Sequence, residues 1–229
     1  MRSGCERPRS RRRGAARVAT AALAGAAGFL TSGLRLAFAA DANDTSYGRI
    51  DGDVALVVGA GATVADRGPR GEAELRVRYL DTAGLFATYE DGPLLGSAAE
   101  PRRVLATGLE VRPLFLFRWL KGHETTRAWI DLALDSIGLE LGAAFQQPTG
   151  TSFDERPGLQ LGGMLEIPIV GRATGPWLAV HGGARWSDGA LAGGSTAGSD
   201  DRSLYLTIGL AWHQVVTTHA VDVGDRREP

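Results

Sequence analysis

Ser187, His181 and Glu166 are the residue types of a nucleophilic set. A serine activated by a histidine that an acid orients performs acyl transfer, and a barrel acting on lipid could use it. No motif flanks Ser187, which ends an alternating segment, and even positions on 159–169 need not align with 181. A hydrogen-bonded structural histidine is the better reading, and no catalytic residue is assigned. The four histidines (His123, His181, His213, His219) lack metal-ligand spacing. Asp131 and Asp135 would share a helix face and could do acid–base work or bind calcium, but a solvated face is the default. The paired Asp200 and Asp201 end a Gly/Ser loop without the alternating acidic ladder of a calcium site. Val57-Val58-Gly59-Ala60-Gly61-Ala62-Thr63-Val64 imitates a dinucleotide-binding turn, but Val64 stands where the third glycine belongs. Glycines on a tightly packed strand explain that segment better. No cofactor and no metal site is expected.

The remaining chemistry is charge placed at every second position. Ala73, Leu75, Val77 and Tyr79 alternate with Glu72, Glu74, Arg76 and Arg78. Successive strand side chains point to opposite faces, so such a segment has one apolar and one charged face. Leu159, Leu161, Gly163, Leu165, Ile167 and Ile169 repeat the rhythm, as do Leu204, Leu206, Ile208, Leu210 and Trp212. Eight strands are predicted: 53–65, 72–80, 85–90, 103–113, 136–146, 157–169, 177–187 and 202–215. Residues 114–135 are ambiguous. They form one or two short helices, extend the flanking strands, or split into a further hairpin that brings the count to ten. The Gly/Pro/Asp-rich segments 66–71, 81–84, 91–101, 147–156, 170–176 and 188–201 are turns and loops by composition.

The ends bound the setting. Residues 1–39 read as a signal peptide: seven arginines up to Arg17, an apolar stretch from Val18 to Leu30, and Ala37-Phe38-Ala39 as a small-x-small cleavage site. The apolar stretch is shorter than the ~20 residues of a membrane-spanning helix. Residues 40–52 form a polar lead-in and 216–229 a polar tail. Without residues 1–39 the chain holds 17 basic and 25 acidic groups, a net of −8, with no clustered basic face. No nucleic-acid partner is expected from that balance. The one cysteine, Cys5, falls in the leader, leaving no disulfide or thiolate chemistry after cleavage.

With an export signal and no spanning helix, alternation points to an all-β, antiparallel up-and-down barrel over 53–215, with its apolar face toward lipid. Glu72, Glu74, Arg76, Arg78, Glu110, Arg112, Glu140, Glu166, His181, Arg185 and His213 then line the lumen. An eight-stranded barrel has room inside only for side chains, so these charges form a paired, plugged network. Tyr79, Tyr89, Trp177, Trp186 and Trp212 fall near strand ends, as an aromatic girdle requires. In leader, alternation (156-RPGLQLGGMLEIPIV, 203-SLYLTIGLAWHQVV) and charged lumen, the chain resembles the small OmpA-type outer-membrane barrels. The resemblance implies an outer-membrane location, contact with outer-membrane lipid and assistance from the barrel-assembly machinery; the plugged lumen and the lack of catalytic motifs point to a non-enzymatic role in the envelope or through surface loops. Many such barrels end on an aromatic residue. Here about 14 residues follow the last strand, so either Trp212 lies within an internal version of that signal or the chain is not in a membrane.

Two other functions fit parts of the sequence. A soluble periplasmic barrel of lipocalin type would turn the apolar face inward around a greasy ligand. A lipid-modifying membrane enzyme would need the His181 set.

Overall fold

The computed structural model describes residues 47–66, 68–94, 99–192 and 202–218. The expected leader, most of the lead-in, the Asp200–Asp201 pair, His219 and the tail beyond 218 lie outside the described residues. The described chain forms eight strands: β1 (Val54–Ala65), β2 (Gly68–Tyr79), β3 (Ala83–Asp91), β4 (Arg103–Val111), β5 (Gly138–Gln147), β6 (Gly158–Pro168), β7 (Gly175–Trp186) and β8 (Arg202–Val216). Each pairs antiparallel with its chain neighbours, and β1 pairs with β8 along its whole length, from Val54↔Val216 to Ala65↔Tyr205. The result is the closed eight-stranded antiparallel barrel that the OmpA-type resemblance implied. The count is eight rather than ten.

Alternation sets which face goes where. On β2, Arg70, Glu72, Glu74, Arg76 and Arg78 are buried while Leu75, Val77 and Tyr79 are exposed. The burial pattern alternates in the same way on β6. Every strand except β7 carries large exposed apolar side chains, among them Leu85 (60 % exposed), Leu109 (61 %) and Leu204 (65 %). The segment that imitated a nucleotide loop lies within β1, and no helix follows it. Gly59 there leaves room for a charged neighbour, since a Cβ on it would sit 2.4 Å from the Glu74 carboxylate.

Three segments differ from expectation. The predicted turn 66–71 is too long, because Ala65 already pairs with Gly68. Gly68 makes the reversal at φ +105°, a conformation open to glycine. Pro69 and Arg70 therefore belong to β2. Residues 114–135 form two helices, α1 (Pro113–Lys121) and α2 (Ala128–Asp135). Pro113 at the first helical position starts α1, and Gly122 in the left-handed conformation ends it. A single turn, α3 (Asp188–Leu191), follows β7, capped by Ser187, whose hydroxyl accepts from the Ala190 N–H at 3.2 Å. The lead-in is packed over its last residues: Arg49 is 2 % exposed, and Tyr47 accepts a bond from the Ala173 N–H through its carbonyl.

Helices α1 and α2, the 47–53 segment, the turns after β2 and β6 and the end of β8 gather at one end of the barrel. The longer connections after β3, β5 and β7 lie at the other.

Candidate functional site

The lumen is built by strands that are not neighbours. From β2, Arg76 reaches Glu110 on β4 at 2.5 Å, Glu140 on β5 at 2.6 Å and the His181 ring on β7 at 3.2 Å, besides Glu74 on its own strand at 2.7 Å. One guanidinium thus ties four strands, using the planar fork that distinguishes arginine from lysine. His181 Nδ1 lies 3.0 Å from Glu140 Oε1. One turn of the pleat closer to the helical end, Arg78 bonds Glu110 and Glu166, the latter at 2.8 Å. Arg112 binds the same Glu166 and also Asp81 at 3.2 Å, and His213 Nε2 lies 3.3 Å from Glu166.

Toward the opposite end lies a separate group. Glu90 on β3 accepts from Arg70 at 2.8 Å and from Arg185 on β7 at 2.6 Å. Arg185 also donates to Gln160 at 2.7 Å and stacks its guanidinium 4.1 Å from the Tyr205 ring. A Cβ on Gly162 would sit 2.5 Å from the Tyr205 hydroxyl, so the missing side chain makes room for that ring.

At the helical end the network continues out of the strands. Arg49 contacts Asp135 at 2.5 Å and Asp81 at 3.5 Å, and its guanidinium lies 4.7 Å from the Phe115 ring. Arg118 on α1 bridges Asp131 and Asp135 on α2 at 2.5 and 2.6 Å. Burial would raise the Asp131 carboxyl, but the Thr125 N–H, Arg118 and the Tyr47 hydroxyl all donate to it and hold it below the ordinary carboxylate range. Tyr47 shows the reciprocal effect. Partial burial, and then its bond to Asp131, push its phenol up to about 12. Ser136, just past α2, accepts from the Glu166 N–H at 2.8 Å and pins the helix to β6.

All eleven residues expected in the lumen lie inside the barrel, none more than 8 % exposed. Arg70, Glu90, Gln160 and Tyr205 join them unanticipated. Arg70 was hidden in a turn-like run, whereas Glu90 alternates with Tyr89 and was readable. Among the expected girdle residues, Tyr79 and Trp212 sit near the helical end and Tyr89 and Trp186 near the other, all on outward-facing positions. Trp177 departs from that group. It shares strand parity with His181, is 1 % exposed and stacks on His213 with centroids 4.4 Å apart. Its indole donates to the Ala173 carbonyl at 3.1 Å, which satisfies its one polar group inside the barrel.

The candidate nucleophilic set is not assembled. Ser187 caps α3, His181 belongs to the Arg76 cluster and Glu166 to the Arg78 cluster. Asp131 and Asp135, expected on a solvated face, are instead buried at 1 % and 3 % exposure because two arginines compensate them. Among the described residues no group of three or more His, Cys, Asp or Glu is placed to hold a metal ion.

No family model and no curated protein matches the chain. Among solved structures it is similar to Acinetobacter baumannii CarO2 (13 % identity, TM-score 0.42, covering 70 % of this chain and 99 % of that one). It is also similar to Ail, the attachment invasion locus protein of Yersinia pestis, whose structure was solved with the heparin analogue sucrose octasulfate (8 % identity, TM-score 0.33, 70 % and 97 % covered).

Proposed function

We propose that this chain is an outer-membrane β-barrel whose lumen is closed by its own charge network, and which serves the envelope mechanically or through the loops at the end opposite helices α1 and α2. The observation that carries the reading is the inversion of a soluble fold: apolar side chains face out around a closed barrel while arginines and glutamates fill the inside. Strands β1–β7 run to between 9 and 12 residues and β8 to 15, which suits the ~9–11 tilted residues that cross a bilayer. Leaving such a surface in water would expose far more contiguous apolar area than soluble monomers tolerate. The helical end with its short turns belongs to the periplasm and the longer connections to the outside. The barrel-assembly machinery would then meet β8, with Trp212 on its lipid face, as an internal signal.

The lipocalin-type alternative requires an apolar interior, and the geometry of β2 and β8 is the reverse of that. The lipid-modifying alternative lacks an assembled Ser187–His181–Glu166 set.

Density separation of native membranes tests the location: recovery with the outer membrane after carbonate washing is expected, and recovery in the soluble periplasm would end the reading. The closed lumen is tested separately in planar bilayers, where the purified protein should carry no steady current. A stable unitary conductance would replace the mechanical role with transport.

A further inference from the structure

Helix α1 is apolar on two sides, and only one of them is used. Phe115 turns inward beneath Arg49, and Arg118 turns inward onto Asp131 and Asp135. On the other side, Leu116 (40 % exposed), Phe117 (59 %) and Leu120 (72 %) form a single face at helical spacing with Pro113. A helix in water would carry polar side chains there. The face continues the barrel's own apolar exterior, since Val111 at the end of β4 is 45 % exposed and only Arg112 separates it from α1. Lys121 ends the helix, exposed beside Leu120, where a long cationic side chain can reach anionic headgroups.

We infer that the outer face of α1 docks on phospholipid, lying in the headgroup–acyl boundary of the periplasmic leaflet, with Leu116, Phe117 and Leu120 in the acyl region and Lys121 at the phosphates. This rests on the membrane-barrel reading and extends it to a segment outside the strands. Short interfacial helices lie in the membrane plane and insert their apolar face by roughly 5–10 Å, within reach of the Leu and Phe side chains on one side of a helix whose overall diameter is about 10–12 Å. A second copy is a poorer occupant. One such helix face offers well below the ~800 Å² per partner of a stable protein interface.

The test uses the full chain with Cys5→Ser, refolded into phosphatidylethanolamine–phosphatidylglycerol vesicles and carrying one nitroxide at a time. The label is placed at Leu120→Cys, at Phe117→Cys as a second position on the same face, and at Leu109→Cys on the barrel exterior. Power saturation compares collision with oxygen, which concentrates in lipid, and with a water-soluble nickel chelate. Oxygen favoured several-fold over nickel at Leu120 and Phe117, as at Leu109, is the expected result. Oxygen at Leu109 but nickel at both helix positions would overturn the docking while leaving the barrel in the membrane. Nickel at all three would remove the membrane reading itself, and the docking with it. Helix positions closed to both reagents would mean that protein covers the face, which also overturns the proposal.

Discussion

At the scale of single residues, Arg76 compensates three carboxylates that have left water. Glu74, Glu110 and Glu140 all contact it, and all are buried. Removing one partner of a buried ionic cluster strands the others and costs about 3–5 kcal/mol, whereas an exposed pair contributes about 0–1 kcal/mol. Arg76→Ala should therefore lower the urea midpoint of the vesicle-reconstituted protein strongly. Arg102→Ala, whose partner Asp91 lies 3.9 Å away with both side chains over 40 % exposed, should barely move it. Equal midpoints for the two variants would show that the lumen pairs carry no stability. Much of this was readable from the period-two pattern, which assigns eleven positions without any knowledge of contacts. Trp177 was misassigned because its size suggested a girdle while its parity with His181 and Arg185 placed it inside. Arg70 was unreadable in a run of Gly and Pro that, judged by composition alone, is a turn.

At the scale of elements, the two helices are held to the barrel end by charge. Asp131 ties α2 to α1 through Arg118 and to the lead-in through Tyr47. Its carboxyl sits below the ordinary range, so its contribution is present above the unfolded value near ~3.9 and is lost as pH falls through the lower folded value. Tyr47, pushed up to about 12, contributes below the free phenol value near ~10 and loses that contribution as pH rises through the folded one. The protection of α2 amides, their exchange divided into its intrinsic rate at each pH, should accordingly fall below about pH 4 in the native chain. In Asp131→Asn that protection should already be low at neutral pH and change little with acid. Slow, native-like exchange in that variant would mean the carboxylate does not hold the helix. The sequence left 114–135 open because Leu114 to Leu120 is apolar at every position but Arg118, a pattern shared by buried strands and helices. Pro113 and Gly122 were the available start and stop signals. The burial of Asp131 and Asp135 was not legible, because Arg49 lies over 80 residues away from them in the chain.

At the scale of the whole barrel, seven of the eight strand pairings join chain neighbours, and one, β1 with β8, closes the sheet. The neighbour pairings follow from turns and alternation, which is why the architecture could be read. The closing register could not, since nothing local links Val54 to Val216. Its ends are nonetheless tied: the Thr218 N–H donates to Asp53 at 2.5 Å, the Thr217 hydroxyl donates to the Asp51 carbonyl at 2.9 Å, and both Tyr47 and Val215 bond the 173–174 turn. Strand order is thus a ring in which no strand is intrinsically first. A circularly permuted chain, with 218 joined to 47 by a short Gly/Ser bridge and new ends cut in the 148–157 connection, should fold to the same barrel, with the circular dichroism and unfolding midpoint of the native order. What the permutation changes is history rather than structure: β1 and β8 would become a hairpin made early, and the last seam to zip would move to β5 and β6.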